Sequence, residues 1–237
     1  MGLLSPQDVE YLKDLFSKEM EGEVKILLFK SDDKSKCQYC DILLDIFNEV
    51  SEIDDRIKVE VFDADDDKVA LEKYGIAEDR IPAVVFLTGD GEDKGVRYYG
   101  LPAGHEFSTV VQNIVSFSKG AQPDLSPASV DKLKQVDSPM EILVFVTPTC
   151  PYCPRAVLMA HEIAKANENI QAAMVEAEEF PEWSMEHGVS AVPHIVINNE
   201  TAFVGAYPED MYVDYVIQRA GSSGKEESQG GKNIILP

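Results

Sequence analysis

Apolar positions along this chain alternate between two rhythms, one suited to helices and one to buried strands, and the same series is written twice. Val9, Leu12, Leu15 and Phe16 fall on one helical face behind Ser5-Pro6, a pair suited to cap and start a helix. Short apolar runs follow at Lys25–Phe29, in Val59–Asp65 (VEVFDAD) and after Pro82 (AVVFL). Phe107, Val110, Val111 and Ile114 then return to the helical period. At Ser126 the series restarts, and Ser126, Pro127, Val130, Leu133 and Lys134 repeat Ser5, Pro6, Val9, Leu12 and Lys13. Glu141–Phe145 repeats Lys25–Phe29, and Ala172–Glu178 repeats Val59–Asp65, setting Asp63 opposite Glu176. Pro193 repeats Pro82, each opening a short strand, and a last helical pattern carries Met211, Val213, Tyr215 and Val216.

Each copy reads α, β, α, β, α, β, β, α, which is an α/β unit. The pattern predicts one unit over 1–120, a second over 121–221, and a disordered tail over 222–237, where GSSGKEESQGG is poor in core residues. Lys119–Leu125 (KGAQPDL) is the expected linker.

Composition narrows the function. The chain has 237 residues, 44% of them apolar, enough for two small cores, and no run long enough to span a membrane. Its formal charge of −22 argues against a nucleic-acid partner. The first residues lack a basic segment followed by an apolar core, so a cytoplasmic protein without a secretory signal is expected.

All four cysteines lie in two C-x-x-C pairs, Cys37-Gln-Tyr-Cys40 and Cys150-Pro-Tyr-Cys153. The second follows the strand-like run Ile142–Val146 and the break Thr147-Pro148-Thr149, and it precedes a helical pattern through Val157, Leu158, His161, Ile163 and Ala164. Cys150 is therefore expected at a helix entrance, where unpaired N–H groups and the positive end of the helix dipole favour a thiolate. Pro151 is expected to set the first turn, and three-residue spacing puts each pair within reach of a disulfide. Thiol–disulfide exchange is the chemistry this arrangement supports.

The order strand, C-x-x-C, helix, strand, Pro-led hairpin and Gly before a last helix resembles the thioredoxin fold. Two such units in tandem resemble the protein disulfide oxidoreductases of archaea and some bacteria, glutaredoxin-like relatives of protein disulfide isomerase. The stretches that carry the resemblance are TPTCPYC (147–153), VEA with PEW (175–183), AVPHIVI (191–197) and GAYPE (205–209). The resemblance implies two tandem thioredoxin-fold units, each a central mixed sheet flanked by helices. It implies that Cys37 and Cys150 are exposed nucleophiles and Cys40 and Cys153 resolving thiols. It implies that Pro82 and Pro193 are cis-prolines, presenting the backbone of Ile81 and Val192 to a substrate strand. Its partners would be protein disulfides or thiols, reduced, oxidised or isomerised, with a thioredoxin reductase-like electron donor. No dinucleotide fingerprint is present, so no cofactor of the chain's own is expected.

The sequence departs from thioredoxin at three points. Lys36 and Thr149 stand where thioredoxins carry Trp, and Val144 stands where they carry a buried acid. Asp63 and Glu176, in equivalent strands that are otherwise apolar, are candidate proton relays; the competing reading is a strand-end carboxylate facing water. Tyr39 and Tyr152 are expected to shield the pairs, His161 and His187 to be ordinary helix-face or cap residues, and Trp183 to pack. Three other functions compete: a thioredoxin-like binding module or chaperone without catalysis, a Cys₄ zinc protein, and a thiol peroxidase. Zinc is disfavoured because paired C-x-x-C ligands usually lie about 15–20 residues apart, and two intact pairs are more than a binding module needs.

The two sites are expected to be unequal, with Cys150–Cys153 carrying most of the reductase activity. Pro151 and a short approach loop favour it. The loop Lys30–Lys36 before Cys37 is three residues longer and expected to be mobile; Lys34 and Lys36 would lower the Cys37 pKa, and Asp32 and Asp33 would oppose them.

Overall fold

One continuous sheet organises the molecule. A computed structural model describes residues 2–223; the expected tail therefore lies outside the described residues from 224 onward, and 222–223 continue the last helix. The first half runs α1 (Pro6–Glu19), β1 (Val24–Lys30), α2 (Cys40–Ile53), β2 (Ile57–Asp63), α3 (Lys68–Tyr74), β3 (Ala83–Thr88), β4 (Asp93–Tyr99) and α4 (Phe107–Ser118). The second runs α5 (Pro127–Leu133), β5 (Met140–Val146), α6 (Cys153–Lys165), β6 (Ile170–Glu176), α7 (Pro181–Glu186), β7 (His194–Ile197), β8 (Glu200–Val204) and α8 (Glu209–Ser223). A short 3₁₀ turn, Gly104–Glu106, precedes α4 and has no counterpart in the second half among the described residues.

Local sequence accounts for the starts of the equivalent helices. Ser5 accepts the amide of Asp8, whose carboxylate returns to the Ser5 amide, with Pro6 at the first helical position. Ser126 and Pro127 repeat the arrangement at α5, where the Ser126 side chain accepts the Ser129 amide.

The sheet has the order β2-β1-β3-β4-β6-β5-β7-β8 among the described residues. Within each half the first two strands are parallel and the hairpin strands antiparallel, so the four-strand pattern occurs twice. The halves join where β4 runs parallel to β6, from Val96↔Ala172 to Tyr99↔Val175. That seam uses the hairpin edge of one half and the opposite edge of the other. β2 is consequently a free edge carrying Lys58 and Glu60, charges that discourage further pairing, whereas its counterpart β6 is interior and mostly buried.

Side chains alternate across the sheet to make two cores. One face packs against α1, α2, α4, α5, α6 and α8 through Phe16, Phe47, Val110, Leu133, Val157 and Val213. The other face is covered by α3 and α7 through Leu71 and Trp183. In α8 the buried residues are Tyr212, Val213 and Val216; Met211, expected inside, is largely exposed. The seam contains Arg97, whose fully buried guanidinium forks onto Asp93 at 2.6 and 2.9 Å and donates to the Tyr74 carbonyl. On the other face, Asn113 donates to Tyr98 Oη and bonds His161 Nδ1, so His161 is a core residue and not a helix-face one. Burial and the Lys165 charge push its imidazole down to about 3, so it stays neutral.

Candidate active site

Both cysteine pairs sit where a central strand hands over to a helix that no side chain caps. β1 leads to Cys37 and β5 to Cys150, but the regular helices begin at the second cysteines, Cys40 and Cys153. The first cysteines lie in the preceding turn, with Tyr39 and Tyr152 at the caps. Neither tyrosine makes a side-chain cap bond, so no side chain competes with a sulfur for the first-turn amides. Because α6 starts at Cys153, its first turn holds Pro154, and Pro151 stands outside the helix.

Each pair forms a disulfide, with Cα atoms 5.5 Å apart in both. The Ile81–Pro82 and Val192–Pro193 peptide bonds are cis. Ile81 shares an apolar cluster with Cys37 and Cys40, and Val192 packs against the cluster that holds Cys150 and Cys153. β3 and β7, which follow the two prolines, pair with β1 and β5, the strands that lead to the cysteines.

Several expectations change. The first cysteines are not exposed: Cys37 is 1% and Cys150 8% accessible. Cys37 lines a cavity of about 370 Å³ shared with Ile81 and Pro82 and walled on the far side by Pro148, Glu176 and Pro181 of the second half. Tyr152 is 71% exposed, so it does not shield its pair. The Lys30–Lys36 loop is tied down by charge pairs: Lys30 to Asp32 and Asp63, Lys34 to Asp41, and Lys36 to Asp65. Asp33 closes a turn by accepting the Ser35 amide and hydroxyl. Lys34 and Lys36 are thus paired to carboxylates, which reduces the positive charge they present to Cys37.

The two repeated acids differ. Asp63, expected to face the core, is partly exposed at the sheet edge; it accepts the Asp65 amide and pairs with Lys30 at 3.2 Å. These contacts hold its carboxyl below the usual range, the backbone bond foremost. Glu176 is buried. Burial raises its pKa against the bonds from the Glu179 and Glu178 amides. His187 caps α7, as expected of a cap residue. Trp183 packs edge-on to Tyr99, Phe145 and Phe180, with the Arg80 guanidinium 4.0 Å above its ring.

Glu106 was not legible in the sequence. It is 1% exposed, neither carboxyl oxygen has a partner among the described residues, and burial pushes it up to about 8. It lies in the 3₁₀ turn packed on the start of α6, next to His105, whose amide donates to the Pro148 carbonyl at 3.1 Å. Gly104, at φ +59, makes that approach possible, since a Cβ there would stand 2.3 Å from the same oxygen. The one available signal was Gly104-His-Glu ahead of the helix, and a Glu before a helix normally reads as a solvated first-turn acid.

A thioredoxin domain family model matches residues 140–218, a span that holds the second pair. A protein disulfide oxidoreductase from Aeropyrum pernix is 30% identical, with a TM-score of 0.83, and the match covers 92% of this chain and 94% of that one. The NTD_N/C domain of alkylhydroperoxide reductase AhpF from Enterococcus faecalis is 25% identical with a TM-score of 0.80, covering 90% and 99%. The AhpF component of the alkyl hydroperoxide reductase of Staphylococcus aureus is 28% identical over 205 residues, which is 86% of this chain. The chain spans 35% of that relative's length.

Proposed function

The chain belongs to the tandem thioredoxin-fold protein disulfide oxidoreductases, and from that premise we propose that both of its cysteine pairs exchange electrons with protein disulfides. The observation that carries this reading is the repeated constellation itself. Each half holds a disulfide before an uncapped helix, with a cis-proline opening the strand beside it.

The chemistry follows from that constellation. A reduced pair presents its first cysteine as a thiolate, stabilised by the first-turn amides. The thiolate attacks a substrate sulfur, a mixed disulfide forms, and one substrate sulfur leaves as a thiolate. The second cysteine then loses its proton and attacks the first, closing the protein disulfide and releasing the other substrate sulfur. Two electrons pass to the substrate. Run backwards, the cycle oxidises a substrate; stopping at the mixed disulfide and reversing permits isomerisation. Backbone groups of Ile81 and Val192 would pair with the substrate strand during the attack.

In this reading the exchange units are 1–120 and 121–221, and the protein works in the cytoplasm, where such cysteine pairs serve catalysis more than structure. No helix among the described residues is long and apolar enough to cross a membrane. A thioredoxin reductase-like flavoprotein is the proposed electron donor, a role supported by the likeness to part of a larger reductase. Insulin reduction by dithiothreitol tests the activity. Replacing Cys37, Cys40, Cys150 and Cys153 together by Ser should return the rate to the uncatalysed level. Retained acceleration would move the function to a binding surface.

A further inference from the structure

The cavity over the first cysteine pair takes one wall from the other half of the molecule. β4 and β6 run level at Tyr99↔Val175, so the residues that follow, Gly100 and Glu176, meet beyond the strand ends. The Gly100 amide donates to the Pro82 carbonyl at 2.9 Å. A Cβ on Gly100, at φ +89, would stand 2.7 Å from the Glu176 Cβ. Glu176 is thereby held one residue from the cis-proline of the first half, and it lines the same cavity as Cys37.

Its carboxyl is incompletely satisfied. Glu176 is 4% exposed; Oε2 accepts the Glu179 amide at 2.6 Å, and Oε1 has no partner among the described residues. A buried carboxylate with an orphaned oxygen is costly, and a proton on that oxygen removes the cost. Glu179, on the same cavity, accepts the Leu101 amide at 2.6 Å and is pushed up to about 7, by burial first and then by the proximity of Glu176. The remaining titratable groups on the cavity are Lys34, Lys36, Tyr39 and Glu178. Both lysines are bound to carboxylates of their own half, Asp41 and Asp65.

We propose that Glu176, a residue of the second half, holds the proton for the cysteine pair of the first half. The proposal rests on the exchange activity assigned above. During substrate reduction, the Cys37 thiolate displaces one substrate sulfur and forms the mixed disulfide. Ionised Glu176 takes the proton from the Cys40 thiol. The Cys40 thiolate then attacks Cys37, and the bond from Cys37 to substrate breaks. Glu176 returns its proton to the departing substrate sulfur. Atoms balance, and two electrons move from the cysteine pair to the substrate. Asp63, the repeat counterpart of Glu176, does not reach this role because Lys30 keeps it ionised at the outer edge.

The test uses the full chain with Cys150→Ser and Cys153→Ser, so that only the first pair reports. Single-turnover reduction of oxidised glutathione by the reduced pair is followed from pH 5 to 9. With Glu176 intact, the rate should show an ionisation in the acid-to-neutral range. Glu176→Gln should remove that ionisation and slow turnover about tenfold, while Glu176→Asp restores part of it. Alkylation of Cys37 at pH 9 should change less than twofold. A Glu176→Gln profile superimposable on that of its parent overturns the proposal. If the parent itself shows no exchange at any pH, the activity reading for the first pair fails instead, and the proposal falls with it. Redox-difference infrared spectroscopy on the parent gives a second readout that needs no folded variant at Glu176. A protonated carboxyl band that changes on reduction of the first pair is expected, and a spectrum without one contradicts the assignment.

Discussion

Strands β2 and β6 hold the same place in the two repeats and live in different surroundings. β2 is a free edge, with Val61 47% exposed, while β6 lies between β5 and β4 with Ala173, Met174 and Val175 buried. Their final acids diverge accordingly. Asp63 is ionised against Lys30, and Glu176 is enclosed with a raised pKa. Duplication thus supplies the local fold twice, and the seam between the copies decides the chemistry of equivalent residues. The cysteine pairs show the same division. The first is covered by walls from the second half, and the second is approached by the Gly104–Glu106 turn of the first. The inequality expected between the sites therefore has a different basis from the one the sequence suggested. The loop before Cys37 is tied, not loose, and Cys37 is the more covered sulfur.

The largest effect should come from the seam itself. Asp93→Ala strips the buried Arg97 guanidinium of its fork partner. Denaturant unfolding should show a loss on the order of 3 kcal/mol, because a buried charge is left uncompensated. An unchanged midpoint would mean that β4 does not depend on this pair. Next in size is Glu106→Gln. Glu106 is raised from 4.5 to about 8 in the folded protein, so between those pH values the native state binds a proton that the unfolded chain has released. Its contribution to stability therefore falls as pH rises through that window, by at most ~1.4 kcal/mol per pH unit. The Gln variant should lack this fall and gain on the wild type toward pH 8 in parallel melts. Equal slopes would contradict the burial of an uncompensated carboxyl. The smallest effect is expected at Asp63→Asn. The melting temperature and the reactivity of both pairs should stay unchanged at neutral pH, as befits an exposed ion pair. A marked change in Cys37 reactivity would restore Asp63 as a working acid and erase the contrast with Glu176.

Much of this was legible in the chain. Ser5-Pro6 and Ser126-Pro127 announced equivalent helices, and the runs around Phe29, Val85, Phe145 and Val196 are strands because apolar residues of that spacing bury well in a sheet. The C-x-x-C pairs and the prolines at 82 and 193 are local in sequence, so their placement beside one another follows from the repeat. The seam was not legible. Nothing local marks β4 as the partner of β6, since both strands read as ordinary apolar runs. Burial of Arg97, Glu106 and His161 follows from that pairing, and each looks like a surface residue until the second half is laid against the first. The long charged stretch before Cys37 read as mobile because ion pairing to Asp41, Asp63 and Asp65 depends on folding, not on composition.

The central claim is that the two exchange sites are unequal, with the more accessible Cys150 pair carrying most of the protein reduction. Insulin reduction at a single pH tests it directly, comparing Cys37→Ser with Cys40→Ser against Cys150→Ser with Cys153→Ser. The variant that keeps only Cys150–Cys153 should retain most of the wild-type rate, and the variant that keeps only Cys37–Cys40 should fall about tenfold, a barrier difference of about 1.4 kcal/mol. The reverse ranking would contradict the account and make the covered first site the principal reductant.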